Sequence, residues 1–377
     1  MVTETALQQP SEPINNASRG LPASFSTPKH ILLIKLRHYG DVLLMTPVIH
    51  ALKQHYPEAA IDALLYQETL TILSRHPHLH QLWGLQRGVR GWQQAQHAYQ
   101  LSRTLATQRY DWVIHLSDQW MGAFLAYHLR PAVAIGFDYA KRRRYPFWRA
   151  AFTHLAPTTK SNTLHTVEQN LLALAPLGLN VASPDKRCTM AIDPTDRDEI
   201  QKQLAQLGVS GPYIVVHPAA RWLFKCWEDA YFAQLIQTLA DEGWSIILTA
   251  SPATAEQAQV TRILAQIHSP RVHSLAGVLS FHTLAALLEN ARLFIGVDSA
   301  PMHIAAALQT DCVVLFGASK IREWSPWMTR HILIHAADYG TLPDPDTINT
   351  ATSARTLAAI PVRDVLQAAR LMLSKST

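Results

Sequence analysis

Short apolar runs alternate with amphipathic segments along most of the chain, and this pattern predicts strands alternating with helices. The predicted strands are 31–36, 60–66, 112–116, 132–135, 213–217, 245–249, 272–274, 293–297 and 312–316. The predicted helices are 47–56, 67–75, 92–107, 119–129, 163–177, 194–207, 228–242, 253–267, 280–289, 300–308 and 361–374. Such alternation is typical of parallel sheets covered on both faces, so we expect an α/β protein with two doubly wound sheets.

A break in this pattern near 180–193, at Ser183-Pro184-Asp185 and Asp193-Pro194, predicts where the chain divides. A chain of 377 residues is also too long for one ordinary core and suits two domains. The first residues are rich in Pro, Ser, Asn, Gln and Thr and lack the apolar core of a signal peptide. We therefore expect a flexible tail at 1–27, an N-terminal domain at 28–185, a C-terminal domain at 186–358 and a terminal helix at 359–377. Packing of this helix back on the first domain is one open alternative.

The turn after the strand at 293–297 is suited to binding a phosphate. Ser299 is a good N-cap residue, and Pro301 is tolerated in the first helical turn. A strand that turns sharply into a helix leaves free backbone N–H groups and the positive end of the helix dipole at the strand's end. Asp298 and His303 add polar groups there. The same residues also fit an N-capped surface helix with a buried histidine.

A second turn of the same kind follows the first strand, at 31–36. Gly40 permits a tight turn, and Asp41 opens the next helix. Pro47 cannot donate to residue 43, so this helix should be a short turn followed by a second segment. Asp41 fits an ordinary helix cap, and it also fits a carboxylate held at a strand tip, where α/β folds place their chemistry.

These two segments resemble the signature regions of a known family. Lys35–Leu44 and Gly296–His303 are similar to the two signatures of the ADP-heptose:lipopolysaccharide heptosyltransferases. A third region agrees, His217–Trp222 followed by Lys225-Cys226-Trp227. The resemblance covers roughly residues 29–340.

The resemblance implies a GT-B fold, α/β, with two Rossmann-like doubly wound domains facing across a cleft. It implies an inverting transferase that moves heptose from ADP-L-glycero-D-manno-heptose to the inner core of lipopolysaccharide. The stretch 36–68 is most similar to the type III branch of the family, which adds a branching heptose to the second heptose. No cofactor beyond the donor substrate and no metal is required. The expected location is cytoplasmic, peripheral at the inner membrane.

Within that resemblance the residues can be given roles. Transfer needs a base for the acceptor hydroxyl and positive charge for the departing diphosphate. Asp41 is the candidate base and Lys225 the candidate cation, while Asp298 would orient a neighbour or bind a donor hydroxyl. No carboxylate nucleophile is evident, so inversion is expected. The residues expected to bind the donor and its phosphates are His217, Arg221, Lys225, Asp298, Ser299, Ala300 and His303.

Each of these residues has a structural alternative. Lys225 fits an ordinary solvated lysine, His217 fits a loop cap made through a backbone bond, and Arg221 fits a surface charge. Ala300 departs from the family pattern, in which many relatives have glycine, and alanine is bulkier where backbone should approach phosphate.

The basic balance of the chain points to an anionic partner. The net charge is +5 and the sequence pI is about 9.1. Basic residues interleave with aromatic ones from Lys141 to Arg149, which suits an anionic membrane surface or the phosphorylated lipid A-core acceptor. A solvated loop is the alternative, and no nucleic-acid recognition motif accompanies the run. The residues expected to bind the acceptor are Arg37, His38, Lys141, Arg142, Arg143 and Arg144.

Other features limit the function further. Asp344-Pro345-Asp346 and Asp196-Arg197-Asp198 match a loose metal-binding pattern, but one lies in a Pro-rich loop and the other in a first helical turn, where the dipole favours acids. Three well-separated cysteines favour reduced thiols in a cytosolic setting, and no apolar stretch is long enough to span a membrane. Two other functions stay open: a transferase for a different nucleotide sugar, and a non-catalytic nucleotide-sugar binding protein.

Overall fold

A computed structural model describes residues 26–88, 91–179 and 186–374, without the side chains of 91–95. The chain forms two compact units that divide between Ala191 and Ile192. The sequence placed the division between 185 and 186, a few residues earlier. Most of the predicted tail and the breaker Ser183-Pro184-Asp185 lie outside the described residues.

The first unit is built on a parallel sheet of six strands in the order β3-β2-β1-β4-β5-β6. Its strands are β1 (His30–Lys35), β2 (Ala60–Tyr66), β3 (Gln81–Leu85), β4 (Trp112–His115), β5 (Val133–Phe137) and β6 (His154–Ala156). The strands β1, β4 and β5 are buried over almost their whole length, as expected of central strands covered on both faces. The sequence predicted all of these strands except β3 and β6.

Helices follow most strands of this unit. They are α1 (Tyr39–Leu43), α2 (Thr46–His55), α3 (Gly91–Thr107), α4 (Trp120–Leu129), α5 (Pro146–Ala150) and α6 (Thr166–Leu171). Pro47 stands in the first turn of α2, which confirms the predicted split of the first helix. The predicted helices at 67–75 and 163–177 are in part 3₁₀ turns, at Gln67–Ile72 and Leu172–Leu177.

The second unit repeats this plan with a parallel sheet in the order β12-β11-β10-β7-β8-β9. Its strands are β7 (Tyr213–His217), β8 (Ser245–Leu248), β9 (Val272–Ser274), β10 (Leu293–Val297), β11 (Cys312–Phe316) and β12 (His331–His335). The sequence predicted all except β12. Its helices are α7 (Pro194–Gln206), α8 (Asp229–Asp241), α9 (Thr254–Leu264), α10 (Phe281–Glu289), α11 (Ala300–Ala307), α12 (Ile321–Trp324) and α13 (Val362–Ser374).

The last helix belongs to the second unit. Val365, Ala368, Ala369 and Met372 of α13 are buried in the same core as the strands of the second sheet. Its apolar stripe is covered by α8 and by β10, β11 and β12 of the same unit, and the expectation that the helix packs back on the first domain stays a prediction. Among the described residues, no helix has the length and apolar character that crossing a membrane requires.

The registers of the two sheets bring polar residues to their carboxyl edges. In the first sheet Ile34 of β1 lies beside His115 of β4, so the segments after both strands emerge together. In the second sheet Gly296 of β10 lies beside His217 of β7. In doubly wound folds, ligands bind outside the carboxyl ends of the strands, so a ligand-binding site is expected at each of these two edges.

Candidate active site

The carboxyl edge of the first sheet carries Asp41 in the first turn of α1. His38 is the N-cap of this helix, and its backbone N–H donates to Asp41 Oδ2 at 3.3 Å. Asp41 is therefore not the N-cap residue itself but the third helical residue, which returns a bond to the cap. One oxygen of the carboxylate is used in this way, and the side chain remains partly exposed at the strand tip.

A buried lysine lies beneath this turn. Lys35 Nζ, at the end of β1, donates to the Leu116 carbonyl at 2.9 Å and to Asn170 Oδ1 at 2.8 Å. Burial lowers the pKa of Lys35 to about 8, although the negative charge of Asp41 acts to raise it. Asn170 Nδ2 in turn donates to the Leu44 carbonyl at 2.9 Å, so the ammonium and the amide fix the end of α1. Neither Lys35 nor Asn170 was predicted from the sequence as a functional residue.

Asp118, which follows β4, gathers three of the predicted acceptor-binding residues. Arg37 Nη2 lies 3.0 Å from Asp118 Oδ1, and Lys141 Nζ forms an ion pair with Oδ2. Arg142 Nη2 donates to the Asp118 carbonyl at 2.7 Å, and its guanidinium lies over the Trp120 ring. Burial raises the pKa of Asp118, but Lys141 and Arg37 hold it below the usual value, so the carboxylate is ionised. These cations are therefore organised around an internal anion.

The other two arginines of the basic run are more exposed. Arg143 pairs with Asp138, with Nε 3.0 Å from each carboxylate oxygen and Nη2 2.8 Å from Oδ2. Arg144 Nη2 donates to Tyr145 Oη at 2.8 Å. All four basic residues from Lys141 to Arg144 thus have contacts within the chain, so this segment is not simply a solvated loop.

His38, the last predicted acceptor residue, has a partner that the sequence did not reveal. Arg87, which follows β3, places Nη1 3.1 Å from His38 Nδ1 and Nε 3.3 Å from Glu68 Oε1. The guanidinium also lies 3.9 Å from the centre of the Tyr66 ring. Since Arg87 follows an edge strand that was not predicted, no local signal connected it with this edge.

The carboxyl edge of the second sheet joins the candidate cation to a carboxylate. Lys225 ends a short 3₁₀ turn, Leu223–Lys225, and its Nζ lies 2.5 Å from Asp298 Oδ2 at the tip of β10. Lys225 is thus not an ordinary solvated lysine. Burial raises the pKa of Asp298, but the charge and hydrogen bond of Lys225, the charge of His303 and a bond with Ser319 together hold it below the usual value.

The helix α11 begins beside this ion pair. Ser299 occupies the N-cap position, but its hydroxyl donates back to the Val297 carbonyl at 3.2 Å and makes no cap bond to the helix. His303 lies near the start of α11 and is buried. The centre of its ring lies 6.3 Å from the centre of the Trp324 ring. The Ser299 side chain therefore does not satisfy the backbone N–H groups at the start of α11, as expected of an anion-binding turn.

His217 and Arg221 are the other two predicted donor-binding residues near this edge of the sheet. His217 is buried, and its Nδ1 lies 2.9 Å from Thr249 Oγ1, the residue after β8. Burial lowers the pKa of His217 to about 4, so the ring is neutral. The ring thus links two strand ends through a hydroxyl instead of capping a loop through a backbone bond. Arg221 is exposed, with its guanidinium 5.9 Å from the centre of the Trp222 ring.

Three carboxylates of the two loose metal-binding patterns already contact other groups of the chain. Asp346 Oδ1 lies 2.6 Å from Lys320 Nζ, and Asp344 Oδ1 accepts the Asp346 N–H at 2.9 Å. Asp196 is buried in the capping box that begins α7.

A comparison with known proteins identifies the family. The family model for glycosyltransferase family 9 (heptosyltransferase) matches residues 98–353. The chain is 40% identical over 343 residues to lipopolysaccharide heptosyltransferase 3 of Escherichia coli, covering 91% of this chain and 98% of that protein. This chain belongs to glycosyltransferase family 9.

Solved structures of heptosyltransferases share the fold of this family member. The E. coli ADP-heptose lipopolysaccharide heptosyltransferase II aligns with a TM-score of 0.73 at 20% identity, over 91% of this chain and 98% of that one. The E. coli heptosyltransferase WaaC with ADP aligns with a TM-score of 0.70 at 20% identity, over 91% and 99%. The predicted fold class, α/β of the GT-B type with two Rossmann-like units, is confirmed, and the family member is a glycosyltransferase.

Proposed function

We propose that this glycosyltransferase moves L-glycero-D-manno-heptose from its ADP derivative to the inner core of lipopolysaccharide, adding the branching heptose of a type III enzyme. The observation that carries the proposal is the 40% identity to a lipopolysaccharide heptosyltransferase 3 over 98% of its length. The signature segments around Asp41 and Asp298 lie within that length and occupy the two sheet edges where α/β folds bind ligands.

Asp41 acts as the base of the reaction in this proposal. It accepts the proton of the acceptor hydroxyl while that oxygen bonds to the anomeric carbon of the donor. The bond between this carbon and the phosphate oxygen breaks, and ADP leaves with the electron pair. A single displacement inverts the configuration at the anomeric carbon. The N-cap bond from His38 fixes the carboxylate at the strand tip, which supports this role.

Lys225 and the N-terminus of α11 receive the developing negative charge on the diphosphate. A fixed cation and free backbone N–H groups stabilise a leaving phosphate without reorganising at the moment of reaction. Asp298 holds the ammonium at 2.5 Å, and this fixed position supports an orienting role for the carboxylate. Neither this step nor the base requires a metal ion.

We also propose that the protein works at the cytoplasmic face of the inner membrane through an aromatic face on its first unit. Trp120, Phe124 and Tyr127 are spaced along one side of α4 and are 38%, 44% and 48% exposed, and Phe147 of α5 lies beside Tyr127 at 5.4 Å. Amphipathic aromatic rings flanked by basic residues are suited to the interface of an anionic bilayer. The exposed basic neighbours are Lys141, Arg143, Arg144 and Arg149.

The first experiment measures heptose transfer from ADP-heptose to a core acceptor that lacks the branching heptose, with the wild type and Asp41→Asn. We expect transfer by the wild type, loss of transfer in the variant, and unchanged binding of ADP-heptose by both. Faster turnover with a UDP- or GDP-sugar would replace the donor assignment. Donor binding without turnover on any inner-core acceptor would favour a non-catalytic binding protein.

Membrane contact is tested separately by co-sedimentation with vesicles of phosphatidylglycerol and phosphatidylcholine. We expect Phe124→Ser/Tyr127→Ser to weaken sedimentation by about 10-fold or more, because two interfacial aromatic anchors are removed. The matched control is Tyr99→Ser/Val278→Ser, which removes two exposed hydrophobic side chains elsewhere. Transfer to a deacylated core acceptor in solution should be the same for all three proteins. Equal sedimentation of all three would remove the membrane face and leave the reaction intact.

A further inference from the structure

A second group of polar side chains lies at the amino edge of the first sheet, at the opposite end of the strands from Asp41. His30 begins β1, Asp62 lies near the start of β2, and His80 directly precedes β3. One ligand atom from each residue lies within 4.8 Å of the others. His30 Nε2 is 3.1 Å from Asp62 Oδ2, and His80 Nδ1 is 3.0 Å from Asp62 Oδ1.

The orientation of His30 requires a positive charge between its ring and the carboxylate. His30 Nδ1 lies 3.1 Å from the Gln108 carbonyl, which can only accept, so this nitrogen carries the proton. In the neutral ring Nε2 then presents a lone pair to a carboxylate oxygen. Nε2 is buried, and among the described residues no group meets it in hydrogen-bond geometry, although Asp62 Oδ2 lies 3.1 Å away. Two facing lone pairs at this distance are stable only with a proton or a metal ion between them.

The carboxylate itself also needs a cation. Asp62 has no exposed side-chain surface, and Tyr110 Oη and Trp83 Nε1 donate to its Oδ2 at 2.6 and 3.1 Å. Among the residues that the structure describes, the ion-pairing partners of Asp62 are His30 and His80, with no lysine or arginine. A buried carboxylate without a permanent cation is costly.

We propose that His30, Asp62 and His80 bind a divalent transition-metal ion of the zinc class. Two imidazole nitrogens and one carboxylate oxygen form a common ligand set for zinc, with bonds of about 2.0–2.2 Å. Ligand atoms on such an ion lie roughly 3.3 Å apart, close to the observed spacings. The His80 side chain is 62% exposed, so the ion reaches the site from solvent and keeps water in its fourth position.

The surroundings hold these ligands in place before an ion arrives. The backbone N–H of His30 donates to Asp111 Oδ2 at 2.9 Å, and the His30 carbonyl accepts the Asp111 N–H at 2.9 Å. The His80 N–H donates to the Ile61 carbonyl at 2.8 Å. The bond from His30 Nδ1 to the Gln108 carbonyl is the outer contact that commonly orients a metal-bound histidine.

The ion would join three neighbouring strands, β1, β2 and β3, of which β3 is the sheet edge. Because the ligands stand at the amino ends of the strands, this function goes beyond the proposed transfer reaction and takes no part in it. The proposal therefore predicts a metal-dependent stability and a metal-independent transfer step.

Binding is measured by calorimetric titration of the chelator-treated full-length chain with ZnCl₂, and by absorption in the visible region after adding CoCl₂. We expect one tight site in the wild type, with the intense cobalt bands of tetrahedral coordination. His80→Gln should weaken that site by about 100-fold or more, because even outer contacts of a metal site are worth 10–100-fold. His80 is exposed, so this variant leaves the core intact. Asp62→Asn should also abolish the site.

Two controls separate this site from other histidines. His55→Gln removes a histidine at the end of α2 whose Nδ1 bonds the Ala51 carbonyl, and it should leave the tight site unchanged. His78→Gln disrupts a neighbouring group of rings, in which His78 lies 5.8 Å from His76. A tight site that survives His80→Gln, or that is lost only in His78→Gln, would overturn the proposal. The absence of any tight site in the wild type would do the same and would leave a proton between His30 and Asp62.

Discussion

The ammonium of Lys225 lies 2.5 Å from the carboxylate of Asp298, so the cation proposed for the donor's diphosphate is paired with a carboxylate of its own chain. This pair explains how a carboxylate can stand beside a phosphate-binding turn. Asp298 would repel pyrophosphate by itself, but with Lys225 its charge is balanced and the lysine is fixed. In the proposed reaction, a donor phosphate would meet the ammonium and the first N–H groups of α11 together.

Lys225→Met should lower the rate of transfer at least 100-fold, because it removes the charge that stabilises the leaving diphosphate. Asp298→Asn should cost less, about 10-fold, because the amide oxygen still accepts from the lysine. Rates at saturating acceptor, with ADP binding measured alongside, check this order. A larger loss in Asp298→Asn than in Lys225→Met would show that the carboxylate itself meets the substrate.

The same two variants test the pair as a stabilising contact. Lys225→Met leaves a largely buried carboxylate without its cation and should lower the free energy of unfolding by about 3 kcal/mol or less. In the double variant Lys225→Met/Asp298→Asn part of this loss should return. A double-mutant cycle on denaturant unfolding measures the difference, and strictly additive losses would mean that the pair contributes nothing.

Lys35 should give the unfolding free energy a dependence on pH. The pKa of Lys35 is about 8 in the folded protein and 10.5 in a solvated lysine. Between these values the unfolded chain holds a proton that the folded chain has released, so stability from this group rises as the pH increases from 8 to 10.5. Compared with Lys35→Met, the wild type should gain up to about 3 kcal/mol over this range.

The control for this prediction is Lys53→Met, since Lys53 Nζ also donates to a carbonyl, that of Ala59 at 2.9 Å, but at a partly exposed position. This variant should keep the wild-type pH dependence of unfolding. Parallel curves for the wild type and Lys35→Met would contradict the assigned burial effect.

Charge reversal of the exposed arginines should act on the acceptor only. We expect Arg143→Glu/Arg144→Glu to raise the acceptor KM by about 10-fold, by repelling an anionic core, and to leave the donor KM unchanged. Arg142 is left in place because it also packs on Trp120. Arg363→Glu in the second unit is the matched control, with a side chain that is 85% exposed. An unchanged acceptor KM would remove these two arginines from acceptor binding.

Gly122 in α4 should not tolerate a side chain, although alanine favours helices. A Cβ atom at this position would lie 2.1 Å from His115 Cε1, and the His115 ring is buried and bonded to the Gln119 carbonyl. Gly122→Ala should therefore lower the free energy of unfolding by the roughly 1–3 kcal/mol that overpacking costs, less the gain from the helix preference of alanine. In a His115→Ala background the Cβ fits, and the same substitution should cost little. An equal cost in both backgrounds would contradict this packing.

The sequence predicted the interior of both sheets and missed strands at their edges. The central strands β1, β7 and β10 are continuous apolar runs because both of their faces are covered. The missed strands, β3, β6 and β12, all stand at a sheet edge. They are short or carry polar residues such as His154 and His331, so the apolar run that signals a buried strand is weak in them.

The candidate residues in the turns after central strands could be predicted from the sequence, because the apolar runs of those strands are easily recognised. Asp41, Asp298 and His303 come directly after strands that were predicted correctly, so their position at a carboxyl edge could be predicted. The residues that they contact could not be predicted. Lys225 is 73 residues from Asp298, and Lys35 meets Asn170 across 135 residues. Contacts of this kind arise from strand order and register, which no local pattern encodes.

Asp118 already occupies two of the cations that are proposed to bind the acceptor, Arg37 and Lys141. An anion that approaches Arg37 and Lys141 competes with a carboxylate that is tethered to the sheet and already in contact with both. A free phosphate ion gains little from such an exchange, because it replaces one anion with another and loses its own mobility. A ligand with several linked anionic groups gains more, since it can engage Arg143 and Arg144 at the same time. If the proposed acceptor binds at Arg37 and Lys141, the resident carboxylate of Asp118 would therefore favour acceptors that carry several anionic groups.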